Sequence, residues 1–200
     1  MTNIKIAVLI LAGGQSSRMG KDKALLVLDN QCFIQRICEV ATALTSEVYV
    51  LTPWRDRYQE FLPFPVQFLL EPNHGNGPLI ALFEGLNQIS ADWILLLACD
   101  LPLLKINVLQ AWINQLERIP DSVLAVVPCQ NSIWEPLCGF YRQQSLTSLQ
   151  DFIDKGGKSF QNWLSEISAM PLLIGESETQ MLWNCNTPEE FEELKSNEKR

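Results

Sequence analysis

The sequence predicts an α/β fold built on a mostly parallel central sheet, and three observations carry that prediction. Apolar runs of strand length alternate with segments of helical periodicity through residues 1–130. Such alternation implies parallel strands joined by helical crossovers. The first run, Ile4 to Leu11, leads straight into a stretch rich in glycine and cations. The 200-residue chain is 47% hydrophobic and 19% charged, which is enough apolar material for one domain with a substantial core.

Ile6-Ala7-Val8-Leu9-Ile10-Leu11 has no polar face, so it reads as a strand covered on both sides. Ala24 to Leu28 is short and apolar, and Asp29-Asn30 marks a turn. Phe33, Ile34, Ile37, Cys38, Ala41 and Leu44 recur at helical spacing. Glu47 to Leu51 is a second strand, and the loop from Pro53 to Tyr58 opens a short helix. Val66 to Leu70 is a third strand. Pro78 then starts a helix, since proline is favoured in a first turn, with Leu79, Leu82, Phe83 and Leu86 on its apolar stripe. Trp93 to Ala98 is a fourth strand, Val108 to Leu116 carries a third helical stripe, and Val123 to Val127 is a fifth strand. The second half is less regular. Trp134 to Tyr141 reads as a strand, and Leu146, Leu149, Phe152 and Ile153 as a helix ended by Gly156-Gly157. Pro171 to Ile174 and Met181 to Trp183 read as short strands. Thr187-Pro188-Glu189-Glu190 is a helix start, with a threonine cap, proline first and acids at the positive end of the dipole.

Ligands of parallel sheets bind at the carboxyl ends of the strands. The loop after Leu11, the loop after Leu70 and Asp100 all fall there. The first loop runs Leu11-Ala12-Gly13-Gly14-Gln15-Ser16-Ser17-Arg18-Met19-Gly20-Lys21-Asp22-Lys23. Glycine lets backbone N–H groups turn toward one anion, and Arg18, Lys21 and Lys23 add full charge, so the natural guest is a phosphate chain. A P-loop needs four residues between its glycines, whereas five separate Gly14 from Gly20. The dinucleotide fingerprint Gly-x-Gly-x-x-Gly is also missing. Asp100 ends an apolar strand, where a carboxylate either binds Mg²⁺ beside substrate phosphates or caps the turn before Leu101-Pro102. His74 is the only histidine, and a lone loop histidine reads as solvated. Trp54 and Trp134 are candidates to stack on a base or pterin.

Leu-Ala-Gly-Gly at 11–14, Ser-Arg-Met-Gly at 17–20, Asp22-Lys23 and Leu25-Leu26 resemble the signature of nucleotidyltransferases with a three-layer, Rossmann-like (GT-A-like) fold. Within them the chain is most similar to the molybdenum cofactor guanylyltransferases, which transfer GMP from GTP to the terminal phosphate of molybdopterin. The resemblance continues through Gly77-Pro78-Leu79, Cys99-Asp100-Leu101-Pro102 and Asn184-Cys185-Asn186-Thr187-Pro188-Glu189-Glu190. It implies that Leu11, Ala12, Gly13 and Gly14 hold the guanine nucleotide, partly through backbone. It implies that Arg18 and Lys23 contact the phosphates and serve catalysis. By the same resemblance Asp100 binds the Mg²⁺ that bridges nucleotide and acceptor, and Glu71, where the family often has aspartate, belongs to the nucleotide pocket. Asn184 and Asn186 fall on the acceptor side, as does the Tyr141-Arg142 segment. The chain departs from the family at Leu51-Thr52-Pro53, where some members carry an asparagine, and at Glu135, which stands for a histidine. Alternatives that keep the nucleotide site are a cytidylyltransferase for the same cofactor, a sugar-phosphate nucleotidyltransferase and a non-catalytic nucleotide-binding protein.

The net charge of −8 argues against nucleic acid as a partner, because such binders need a basic surface. There is no signal-peptide pattern, and no apolar run reaches the roughly 18–20 residues of a membrane span, so a cytoplasmic protein without membrane contact is expected. Six cysteines lack any Cys-x-x-Cys pair and read as buried free thiols. The partners implied by the resemblance are GTP and molybdopterin, with Mg²⁺ as cofactor. Molybdenum-insertion proteins and apo-molybdoenzymes are implied as neighbours. The expected organisation is a single domain with a nucleotide-binding half at 1–130, an acceptor-binding half at 131–195 and a frayed tail at 196–200.

Overall fold

The computed structural model describes residues 4–14, 22–62, 65–71 and 75–197. Strand β1 (Ile6–Leu11) precedes a 3-10 turn (Lys23–Leu25) and the hairpin strands β2 (Val27–Leu28) and β3 (Gln31–Cys32). Helix α1 (Phe33–Leu44), β4 (Val48–Thr52), α2 (Arg55–Gln59), β5 (Gln67–Leu70), α3 (Pro78–Gln88), β6 (Trp93–Ala98) and α4 (Ile106–Ile113) follow. After a second 3-10 turn come β7 (Ala125–Gln130), β8 (Ile133–Trp134), β9 (Cys138–Arg142), α5 (Ser145–Asp154) and α6 (Phe160–Glu166). The chain closes with β10 (Ala169–Leu173), α7 (Glu176–Met181) and α8 (Pro188–Asn197).

The main sheet runs β10-β7-β9-β6-β1-β4-β5, with β8 hydrogen-bonded to β7. β1, β4, β5 and β6 are mutually parallel, and β9 runs against both β6 and β7. The expected parallel alternation therefore holds through β6, and β9 makes the sheet mixed. Helices lie on both faces. Successive residues of a strand point to opposite sides. Val8 and Ile10 meet the cluster built with Ile34, Ile37, Leu109 and Trp112, from α1 and α4. Ala7 and Leu9 meet the cluster built with Leu82, Leu86, Phe152 and Trp163, from α3, α5 and α6. The apolar runs without a polar face are thus explained by three layers.

Register then sets the rim. Leu11 lies opposite Leu51 of β4 and opposite Ala98 of β6. The residues just past these three, Ala12, Thr52 (the last of β4) and Cys99, lie at one level at the carboxyl ends of the strands. Asp100 is next along. A third, smaller cluster of Leu28, Phe33, Cys185 and Leu194 ties the β2–β3 hairpin to the C-terminal segment. That hairpin turns at Asp29 and Asn30, both at positive φ (47° and 63°), the pairing that a two-residue type I′ turn requires.

Two second-half expectations differ from the structure, and one helix adds to them. The strand read over Trp134–Tyr141 is split: β8 ends at Trp134 and β9 starts at Cys138. Pro136 falls in the gap, and proline cannot donate to a ladder. Met181–Trp183 is not a strand, because Met181 ends α7, whose start is fixed by Glu178 Oε2 accepting from Gly175 N at 3.0 Å. Helix α6 was not anticipated. Its signal was present in the Ser159 cap, whose Oγ accepts from Asn162 N, and in Phe160, Trp163 and Leu164 at i, i+3 and i+4. No helix among the described residues is long and apolar enough to cross a membrane.

Candidate active site at the carboxyl ends of the strands

A cleft of about 410 Å³ opens above the carboxyl ends of β1 and β6. Its floor is the turn Leu11-Ala12-Gly13-Gly14. Lys23, Glu71, Cys99 and Asp100 stand around it. The floor is held by Thr52, which is 1% exposed. Its Oγ1 donates to the Ala12 carbonyl at 2.9 Å and accepts from Trp54 N at 3.1 Å. Thr52 lies within the Leu51-Thr52-Pro53 stretch where the chain departs from the family resemblance, and its hydroxyl ties β4 to the glycine turn.

Lys23 and Asp100 are 77 residues apart in sequence and meet at 3.2 Å between Nζ and Oδ2. The same ammonium donates to Asn186 Oδ1 at 2.6 Å. The other oxygen of Asp100, Oδ1, is buried with no hydrogen-bond partner. An ionised carboxylate oxygen left so is costly unless a cation meets it. Beside it, burial and the Asp100 carboxylate push the Cys99 thiol up, so it stays neutral. Asp100 is also a backbone anchor, since its carbonyl accepts from Cys185 N at 3.0 Å. That bond carries the Asn184–Asn186 segment to the rim. Glu190 Oε2 secures the segment from the other side by accepting from Asn186 N (2.6 Å) and Thr187 N (2.9 Å), a reciprocal cap with Glu190 N donating to Thr187 Oγ1.

Glu71 is 8% exposed and hangs over Gly13 so closely that a Cβ there would lie 1.8 Å from Glu71 Oε2, so a larger residue would have to displace the carboxylate. The loop beyond enters α3 through Gly77, whose φ of 90° suits glycine.

The expected residues Leu11, Ala12, Gly13, Gly14, Lys23, Glu71 and Asp100 thus surround one cleft. Asn186 joins them through Lys23. Asn184 does not reach that pair; its Nδ2 donates to Leu182 O at 3.4 Å. Arg18, Lys21 and His74 lie outside the described residues. Tyr141-Arg142 is displaced from the expected acceptor side. Arg142 pairs in register with Trp93, at the opposite end of β6 from Asp100. There it stacks on Trp93 (4.4 Å) and donates to the carbonyls of Val123, Ile119 and Pro120, a structural staple. Trp54 carries Arg57 on its ring face (4.6 Å), Trp134 exchanges two hydrogen bonds with Gln161, and neither tryptophan lines the cleft. Sequence reading named Asp22 and Thr52 without giving either a role of its own. Asp22 had a local signal, an acid at the N-cap place of a short turn; the bond made by Thr52 had none, because its partner is 40 residues away.

Parallel strands ending together beneath a glycine turn, a lysine and a carboxylate define the class, an α/β nucleotidyltransferase. Residues 8–168 match the model of the MobA-like NTP transferase domain, and the chain belongs to that family. A relative from Trichormus variabilis named "probable molybdenum cofactor guanylyltransferase" is 43% identical over 199 residues, covering 96% of this chain and 95% of its own. One of the same name from Synechococcus elongatus is 44% identical over 193 residues, covering 96% and 98%. The crystal structure of molybdopterin-guanine dinucleotide biosynthesis protein A from Archaeoglobus fulgidus superposes with a TM-score of 0.79 at 18% identity, covering 95% of this chain and 97% of that one, and it shares the fold.

Proposed function

We propose that this chain transfers GMP from GTP to the terminal phosphate of molybdopterin, forming the guanine dinucleotide cofactor and releasing pyrophosphate. The observation that carries the reading is the meeting of Lys23 and Asp100 at 3.2 Å over the glycine turn. The names of the relatives at 43–44% identity support guanine over cytosine and molybdopterin over a sugar phosphate.

Mg²⁺ fits the residues present. It takes hard oxygen ligands, commonly one or two carboxylates plus substrate phosphates, and Asp100 offers a buried oxygen with no partner. Asp100 would hold the ion, which when bound would neutralise charge between the two phosphates. The remaining chemistry belongs to the chain. The acceptor phosphate is already anionic, so no general base is needed, and catalysis is positioning plus charge stabilisation. The Gly13-Gly14 backbone, with Leu11 and Ala12, seats the nucleotide, and Glu71 faces its base or ribose. Lys23 and Arg18 stabilise the charge that grows on the leaving pyrophosphate. Asn184 and Asn186 meet the acceptor. The surroundings proposed are the cytoplasm, with molybdenum-insertion proteins and apo-molybdoenzymes as neighbours.

The test is turnover of GTP and molybdopterin with Mg²⁺, followed as pyrophosphate release. Asp100→Ala is expected to lower the rate by about 10²-fold or more with an unchanged CD spectrum. Near-normal turnover by the folded variant would contradict the assignment.

A further inference from the structure

The 3-10 turn that presents Lys23 is three residues long and closes on two backbone hydrogen bonds, Leu25 N to Asp22 O (3.2 Å) and Leu26 N to Lys23 O (3.1 Å). So short a turn has little orientation of its own; its anchors set where the lysine points. The nearest anchor is Asp22, whose two oxygens do different work. Oδ1 accepts from Ala24 N at 3.1 Å, an ordinary N-cap. Oδ2 is not needed for capping, yet it accepts from Tyr58 Oη (2.9 Å) and from Arg57 Nη1 (2.9 Å), both on α2. Tyr58 is 1% exposed. Burial and the Asp22 carboxylate push its phenol well up, so the hydroxyl remains a donor throughout the working pH range. Arg57 is itself stacked on Trp54. The second oxygen of Asp22 therefore bolts the turn to a packed side chain rather than to solvent.

We propose that Asp22 is a positioning residue for Lys23, acting through Tyr58 and Arg57 of α2. The activity readout of this inference rests on the guanylyl transfer proposed above. Asp22 and Tyr58 also line the cleft, but the role assigned to Asp22 runs through the turn, and an unchanged KM for GTP is what separates it from a direct substrate contact. It holds the turn so that the Lys23 ammonium stands between Asp100 and Asn186, in the place where phosphate charge would arrive. A displacement of about 1 Å in such a group costs on the order of 10²-fold in rate.

Two variants of the full-length chain separate this from simple capping. Asp22→Ser keeps an N-cap oxygen and removes the link to α2. Tyr58→Phe leaves Asp22 in place and removes one donor. Both are expected to lower kcat, Asp22→Ser by roughly 10- to 100-fold and Tyr58→Phe by less, with KM for GTP within about threefold. Tyr58→Phe is expected to add nothing in the Asp22→Ser background, because its route to Lys23 is already cut. A second readout does not depend on the reaction: reductive methylation of Lys23, read by mass spectrometry against the exposed Lys155, should rise several-fold in both variants. A kcat within twofold of wild type, an effect confined to KM, additive losses in the double variant or unchanged methylation would each overturn the inference. If the wild-type chain makes no product from GTP and molybdopterin, the transfer reading fails, and methylation alone then decides whether Asp22 holds Lys23.

Discussion

Replacing Gly13 by alanine would set a Cβ 1.8 Å from Glu71 Oε2, 2.8 Å from its Cδ and 3.2 Å from Oε1. Carbon and oxygen do not approach so closely, so the carboxylate would have to retreat by more than about 1 Å. Glu71 is 8% exposed but lines the cleft, so its carboxylate, the end of a flexible side chain, can turn into that space at the cost of its present position. The expected penalty is about 1 kcal/mol, the low end of the overpacking range, or roughly 2–4 °C in Tm for a chain of this size. A thermal melt of Gly13→Ala should therefore fall by about 2–4 °C. The same substitution in a Glu71→Ala background meets no carboxylate. There it should be neutral or slightly stabilising, since alanine has less freedom than glycine to lose on folding. GTP titration of the single variant should show affinity weakened by about tenfold or more, because the methyl lies where the nucleotide is proposed to pass and Glu71 has been moved from its side. An equal Tm loss in both backgrounds would refute the claim that Gly13 exists to accommodate Glu71. Unchanged GTP affinity in Gly13→Ala would refute the placement of the nucleotide over this turn.

Thr52→Val conserves shape and removes the hydroxyl that satisfies the Ala12 carbonyl; the orphaned acceptor should cost about 1–3 kcal/mol in urea unfolding, and an unchanged midpoint would show that the Thr52–Ala12 bond contributes nothing. Alkaline pH should weaken the fold. Burial pushes Cys38 up to about 12 from the ordinary 9.0 and raises Cys138 further. Below pH 9 both folded and unfolded chains keep these protons; above it the unfolded chain releases what the fold retains, so stability falls as pH rises toward 12, by up to about 1.4 kcal/mol per pH unit for each thiol. Tm measured from pH 8 to 10.5 should decline, and Cys38→Ala should flatten the slope; identical slopes would refute that origin.

The first half of the fold was legible because its signals are local. Ile6–Leu11 and Trp93–Ala98 are apolar on every residue since helices cover both faces of the sheet. Asp100 stood out as a carboxylate placed directly after such a run. The second half carries weaker signals. Pro136 splits what reads as one strand, and the apolar residues of Met181–Trp183 have no period long enough to distinguish a helix end from a strand. Within the site, the glycines and cations after β1 pointed to a phosphate chain by composition and position, while the role of Lys23 was implied by the family resemblance. Contacts made over long separations could not. Asn186 reaches Lys23 across 163 residues, and Tyr58 reaches Asp22 across 36. Arg142 shows the reverse error: a Tyr-Arg pair that resembles a family segment sits, in this chain, on the far end of β6 as a staple.

The identity of the transferred group is read by a product assay. Purified chain, Mg²⁺ and molybdopterin would be incubated with GTP, CTP, ATP and UTP in turn, and the dinucleotide product separated and weighed by mass spectrometry alongside pyrophosphate. Molybdopterin guanine dinucleotide and pyrophosphate are expected with GTP, with little product from the other three. Product formed preferentially from CTP would keep the mechanism and contradict the guanine assignment, and GTP bound without pyrophosphate release would contradict guanylyl transfer itself.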